Sequence, residues 1–325
     1  MDSPKLSRAD LFWPLALLAL ASMVTLIALT LLMVRQFDGS AVANEQAIVE
    51  NGLIGRLAEV AQLAAPMTEW DDAVRHLDNH YDPAWARQNI GAQLYQVDGF
   101  TDSVILLSDD NAVFAAHKGA PSDLDAYRPL VSRAKSLVSA VRQAELRRGP
   151  VLVRHDAAKM VATPIQSSTV ATIDGDVVLL SATLVQPDFG TASISRARAP
   201  IILTSMTIDD DFLKAFAHRY QMKNIHLHVG DSRPESQEAH APMIDDRGQV
   251  VATVDWTPNL PGTAMLQRLL SPVLLVVCVL ELCNLCFNGI CHYDHFIPFI
   301  FYRFFQCITI FIAGMHTCFI NIGNI

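Results

Sequence analysis

Residues Leu11–Val34 carry no charge over 24 consecutive positions, and this run limits what the chain can fold into more than any motif does. A helix needs about 20 apolar residues to cross the hydrocarbon core of a bilayer, so the run is long enough to span. It also exceeds the roughly 7–15 residue apolar stretch of a secretory leader. The only cleavage-like triplet, Ala41-Val42-Ala43, lies beyond the charged Arg35 and Asp38. The run therefore reads as a retained anchor at 11–34 behind a cytoplasmic N-terminus at 1–10. A second apolar run opens at Leu269, and 269–287 is expected to return through the membrane. Between them, 35–268 reads as one folded unit on the outer side. Lys5 and Arg8 before the anchor, against Arg35 after it, lean slightly toward an inside N-terminus.

Composition narrows the classes further. The net charge of −9 argues against a nucleic-acid partner, because such a surface needs a basic face or stripe. Arg147-Arg148 and Arg196/Arg198 are too sparse to make one. All six cysteines (Cys278, Cys283, Cys286, Cys291, Cys307, Cys318) fall in the last 48 residues. A cysteine-free middle needs no disulfides and suits an oxidising compartment such as the bacterial periplasm. The expected location is the bacterial inner membrane with 35–268 in the periplasm.

Val49, Leu53, Leu57, Val60 and Ala64 recur at helical spacing, which predicts an amphipathic helix over 42–65 broken by Pro66. Helices are expected at 69–77 and at 83–95, the latter with Pro83 in its first turn. Ser103–Leu107 and Ala112–Ala116 flank Asp109-Asp110-Asn111 and predict a hairpin. A helix over 123–146 follows, with Leu130, Ala134, Leu137 and Val141 on one face. Strands are expected at 151–154, 160–165, 176–184, 201–207, 224–229 and 249–256, with a polar loop over 231–240. Asp209 is placed to cap a short helix over 211–220. Leu107–Ala116 and Ile244–Val254 echo each other as acidic pair, turn and apolar strand, which suggests two sheet-plus-helix lobes.

No phosphate-binding loop, dinucleotide fingerprint, nucleophile elbow or zincin motif occurs, and no cofactor is expected. Cys283-Asn-Leu-Cys286 has CxxC spacing but no second pair. His226 and His228 alternate on an expected strand and share a face. Two imidazoles so placed suit a metal, but the sequence names no third ligand, and an exposed pair is the plainer reading. The densest constellation is Trp70-Asp71-Asp72, then Tyr81-Asp82-Pro83-Ala84-Trp85, then Asn89-Ile90-Gly91. Trp85 and Asn89 share a helix face, and Trp70 meets them if the two helices form a hairpin. Two readings stand: a tryptophan packing knot with Asp71 or Asp72 capping a helix or bonding an indole, or a small-ligand pocket lined by Trp70, Asp71, Asp72, Tyr81, Trp85 and Asn89.

These words, in this order and followed by an apolar strand and an acidic turn, resemble the CHASE family of bacterial extracellular sensor domains, fourth type. The turn Ile244-Asp-Asp-Arg-Gly248 and Trp256-Thr-Pro258 resemble the membrane-proximal end of such receptors. The resemblance covers about 40–265. It implies an α+β, PAS-like or Cache-like domain on a long N-terminal helix flanked by transmembrane helices. It further implies a homodimeric receptor for an unknown small molecule, with a cyclic-di-GMP or kinase output after the second span. No catalytic residue is implied. A rival of another class is a membrane-anchored enzyme using Asp71, Asp72 and Asp82 as acid and base, and a third is an anchor without a ligand.

No output module is legible in the chain. From Asn284 to Ile325 there is no Val, Ser, Glu or Lys, against nine Ile, eight Phe and four Cys. This shift predicts that 288–325 is an aberrant hydrophobic tail, entered by a frameshift or inserted DNA near 278–284. A third span over 296–320 is the alternative.

Overall fold

The computed structural model describes residues 8–150, 163–188, 191–230, 239–270 and, beyond these, 272, 275 and 279. The strand expected at 151–154, the start of that at 160–165, the loop at 231–238 and the tail from 280 lie outside the described residues. The chain divides into two compact units, Gln46–Pro258 and a second made of Met1–Glu45 with Asn259–Ile325.

Helix α1 runs from Arg8 to Leu63. Leu18, Leu26, Leu32 and Met33 on it are all exposed. The hydroxyls of Thr25 and Thr30 donate to the carbonyls of Ala21 and Leu26, each at 2.8 Å, so these polar groups are satisfied within the helix. Among the described residues α1 is the one helix long and apolar enough to cross a membrane.

In the smaller unit, residues 261–270 are helical. The Asp38 carboxylate accepts the Gly262 N–H at 2.7 Å, the Thr263 N–H at 3.1 Å and the Thr263 hydroxyl at 2.5 Å. These are first-turn donors with no partner inside their own helix. A Cβ on Gly262 would lie 2.7 Å from the Val34 carbonyl oxygen and 2.9 Å from Asp38 Oδ1, so the approach requires glycine.

The larger unit begins with the end of α1 and short helices α2 (Ala65–Thr68) and α3 (Asp71–Ala73), the last widening into a π turn at Val74–Asn79. Helix α4 (Pro83–Ala86) widens likewise at Arg87–Ala92 before α5 (Gln93–Asp98). Strands β1 (Asp102–Leu106), β2 (Ala112–His117) and β3 (Ala120–Pro121) precede α6 (Arg128–Arg133) and α7 (Lys135–Arg148). Strands β4 (Gln166–Ile173), β5 (Asp176–Leu184) and β6 (Ile201–Thr207) lead to α8 (Asp210–Tyr220). Strands β7 (Lys223–Val229), β8 (Ala239–Ile244) and β9 (Val250–Thr257) close the unit.

The nine described strands pair antiparallel, in a six-stranded sheet ordered β3-β2-β1-β6-β5-β4 and a three-stranded sheet ordered β7-β9-β8, and Glu69 adds one parallel bridge to Gln186. Side chains alternate along a strand, and here both faces of the larger sheet are covered. Ile105, Leu179 and Ile202 pack with Val60, Ala64, Leu77 and Ile90 on one face. Val104, Leu180 and Leu203 pack with Leu130, Leu137 and Val141 on the other. Double burial explains the unbroken apolar runs of β5 and β6. This is an α+β fold on a long N-terminal helix, as the sequence implies.

Several expectations need correction. Pro66 does not break the first helix; α1 ends at Leu63, and Pro66 sits in the first turn of α2, where a missing N–H is harmless. The helix over 123–146 is interrupted at Ala134. Residues 163–165 are not in a strand; β4 begins at Gln166 and turns into β5 through Asp174 (φ 52°) and Gly175 (φ 95°). Two successive positive φ angles make the tight hairpin turn that Asp-Gly favours. Residues 239–240 begin β8 instead of continuing a loop.

Gly262→Ala should lower the thermal unfolding midpoint of the full chain in detergent. Gly55→Ala, where a Cβ meets nothing within 4 Å, should leave it unchanged or raise it, since alanine is favoured over glycine inside a helix by about 1 kcal/mol.

Candidate functional site

The helix-connecting segment from Thr68 to Asp98 gathers the aromatic constellation. The Asp82 carboxylate accepts the Ala84 and Trp85 N–H groups at 2.9 and 3.1 Å and so starts α4. The Trp85 hydrogen bond, aided by Ala84 and by His76, holds this carboxyl below its usual range. His76 stacks on Trp85 with centroids 5.3 Å apart and planes 5° from parallel. Trp70 meets Trp85 at 5.6 Å and 43°, so the two tryptophans do come together. Asn89 Nδ2 donates to the Trp85 carbonyl at 3.0 Å, and the Tyr81 hydroxyl donates to the Val113 carbonyl at 3.4 Å. Gly91 lies under Phe114 and the Gly119 carbonyl, where a Cβ would come within 3.2 and 3.3 Å.

Carboxylates from this segment bond Thr191 and Ser195. Asp71, 5% exposed, accepts the Thr191 N–H at 3.0 Å and the Thr191 hydroxyl, while Asp188 accepts the Asp71 N–H at 3.1 Å. Asp78, fully buried, accepts the Ser195 N–H at 2.5 Å and its hydroxyl at 3.0 Å. Asp72 pairs with Arg75, whose guanidinium also reaches Thr191. Of the carboxylates of the enzyme rival, Asp71 and Asp72 thus share one hydrogen-bond set through Thr191 and Arg75, while Asp82 serves another at the start of α4.

Of the six residues read from the sequence as a pocket, Trp70 lines a cleft. It is a depression of about 660 Å³ walled by Pro66, Met67, Trp70 and Pro187, with Glu69 and Asp188 as its acidic groups. No Lys or Arg lines it among the described residues. Gln186 Nε2 donates to Glu69 at 2.5 Å. Burial, and then the neighbouring Asp188 charge, push the Glu69 carboxyl above its ordinary value despite that bond.

A second cleft, about 510 Å³, lies along α7 beside an ion network absent from the sequence reading. Arg142, 8% exposed, bonds Glu145 and Asp110 at 2.8 Å each and the Ala199 carbonyl at 2.6 Å. Glu145 in turn accepts the Ala199 N–H at 2.7 Å, and Arg198 reaches Asp110. Helical spacing carried the signal: Arg142 follows Val138, and Glu145 follows Val141, by four positions on the apolar face.

This is an α+β domain with two clefts beside a doubly covered sheet. A family model for the CHASE4 domain matches residues 52–228, and the chain belongs to that family of sensor domains. Among curated proteins none matches the chain. Two solved structures from Pseudomonas aeruginosa PAO1 are similar. One is the ligand-binding domain of the amino-acid chemoreceptor PctC with GABA, 12% identical, covering 68% of this chain and 95% of that one at a TM-score of 0.32. The other is that of PctB with L-Gln, 13% identical, covering 72% and 93% at a TM-score of 0.31.

Asp78→Ala strands the Ser195 N–H and hydroxyl and should cost about 1–3 kcal/mol in urea unfolding, with earlier proteolysis at 191–195. Asp72→Ala removes only an exposed pair and should change stability by less than about 1 kcal/mol. Arg142→Ala leaves buried Glu145 without its counter-charge and should cost about 3–5 kcal/mol.

Proposed function

We propose that the chain is the sensory input part of a bacterial membrane receptor. Its anchor at 11–34 lies in the inner membrane and 35–268 lies in the periplasm. In this reading the domain works as a homodimer and relays through the return helix from 269 to a cyclic-di-GMP or kinase output. Membership of a sensor family supports the role. The exposed apolar stretch of α1 supports the anchor, because such a surface is stable only where water is absent. The hydrogen bonds from Gly262 and Thr263 to Asp38 give the outgoing and returning helices a defined junction.

The cleft beside Trp70 carries the ligand assignment. Its aromatic and prolyl walls with two carboxylates fit an organic ammonium ion: the indole face attracts a cation, and the carboxylates supply the counter-charge. Such a ligand also relieves the repulsion between Glu69 and Asp188. It shifts a receptor only if it binds one conformer better than the other.

Tetramethylammonium and phenethylammonium are the probes. Each should raise the unfolding midpoint of the full chain in detergent, because binding to the native state adds RT ln(1 + [L]/Kd) of stability. Trp70→Ala should weaken binding about 2–30-fold, the loss of a cation–π contact of about 0.5–2 kcal/mol. Glu69 keeps its proton above its ordinary 4.5, so binding should weaken as pH falls through that region and strengthen as it rises. The fold itself shows the opposite sign: the share of stability due to Glu69 is full at low pH and declines as the folded-state carboxyl ionises. Absence of any midpoint shift, or a shift unchanged in Trp70→Ala, overturns the assignment.

A further inference from the structure

Three histidines and an aspartate share one face of the three-stranded sheet, a face exposed at the histidines of β7 and β8 and covered at Thr253 and Asp255 of β9. Ala239, Ala241 and Met243 of β8 are buried, as are Ala252, Val254 and Trp256 of β9. Alternation therefore turns His240 of β8 and Asp255 of β9 to the opposite face, with His226 and His228 of β7 beside them. The register aligns them: Asp255 lies directly opposite His226 on one side and His240 on the other. Directly opposed residues have Cβ atoms about 4.5–5.5 Å apart, and residues two apart on a strand stand about 6.6 Å apart. Two imidazoles on one strand and a carboxylate opposite on the next thus form a three-donor face, with His240 across the same carboxylate.

Asp255 is the second observation. It sits on the same face as the histidines yet is only 2% exposed. Its Oδ2 meets His228 Nε2 at 2.9 Å, while its Oδ1 is buried without a hydrogen-bond partner. A buried carboxylate oxygen left in this way is costly, and the His228 pair alone accounts for neither that oxygen nor the placement of His226 and His240. Among the described residues no three donors converge on one point as the side chains stand. The imidazoles of His226, His228 and His240 are exposed, so other χ1 and χ2 rotamers are open to them.

We propose that His226, His228 and Asp255 form a divalent transition-metal site, with His240 in reach as a fourth ligand and Zn(II) as the reference ion. Neutral imidazole and carboxylate suit zinc, and two histidines with a carboxylate is an established donor set for it. The metal takes the orphaned Oδ1 as a ligand and ties β7 to β9, the last strand before the chain leaves the larger unit at Pro258.

The test is Zn(II) titration of the tag-free full chain in detergent, competed with a chromophoric chelator. Cysteine thiolates are zinc ligands in general, so the readout is the difference between wild type and the His226→Gln/His228→Gln double variant. Both residues are exposed, and the variant's far-UV circular dichroism should match wild type. The expected result is one fewer zinc per chain, with binding of any other zinc unchanged. Co(II) bound at the lost site should show no thiolate-to-metal charge-transfer absorption. His240→Gln gives an independent reading, with weaker binding if it is the fourth ligand and unchanged binding if three ligands suffice, and both accord with the site. Equal zinc stoichiometry and affinity in wild type and the double variant overturn the proposal.

Discussion

Water is kept from both faces of the six-stranded sheet, and that exclusion decides where the polar residues of the larger unit go. A sheet with one wet face can leave alternate positions polar at no cost. Here β1, β5 and β6 are covered on each side, so most polar groups on them find partners inside, while Thr183 Oγ1 on β5 is buried without one. Ser181 and Thr204 bond each other at 2.7 Å across neighbouring strands. Asp102 at the start of β1 takes the Ser205 hydroxyl at 2.6 Å and the Tyr127 hydroxyl at 3.0 Å. Arg142 is admitted to the α7 face because two carboxylates and two carbonyls surround it. Burial by itself opposes each of these bonded groups, and the fold keeps them as sets.

The same requirement explains the Trp-Asp-Asp word. Ala192 and Ile194 pack on the core, and the polar Thr191 and Ser195 on either side of them need partners of their own. Asp71 and Asp78 hold them through backbone N–H groups and hydroxyls, which are strong, directional bonds when the acceptor is charged. The aromatic rings of Trp70, Trp85 and His76 pack in the space beside these straps. The tryptophans do pack together, but Asp71 and Asp72 bond Thr191 and Arg75 instead of an indole or a helix cap, and Trp70 also forms the wall of a cleft. The chemistry of that cleft falls to Glu69, one position before the motif begins.

Features set by neighbouring residues were legible in the sequence. The amphipathic stretch of α1, the β1–β2 hairpin and the Asp209 cap on α8, which accepts the Phe212 N–H at 2.9 Å, all follow from local periodicity or a single side chain. Strand β4 was missed although Asp174-Gly175 marks its turn, because Gln166, Ser167 and Ser168 hide the alternation that starts at Thr169. Strand β8 contains Pro242 and pairs along one edge of its sheet, where proline is tolerated, and its polar approach reads as loop. The pairing of Trp70 with Trp85 was legible as a hairpin of helices. The partners of Asp71, Asp78 and Arg142 lie far along the chain, beyond what local pattern reaches.

The histidine face shows the same division most sharply. Alternation alone puts His226 and His228 on one side of a strand, and the sequence can go no further, because register between β7, β9 and β8 is a tertiary fact. Once that register is known, His240 and Asp255 are no longer separate residues 15 positions apart but neighbours in one cross-strand row. The row also differs in kind from the Trp70 cleft. One offers π-electron density and carboxylates with no imidazole, and suits a soft organic cation. The other offers imidazole nitrogen and a desolvated carboxylate oxygen, and suits a compact metal ion. Both are proposed for cations in a chain of net charge −9, yet they share no residue, so occupancy of either would leave the donors of the other free.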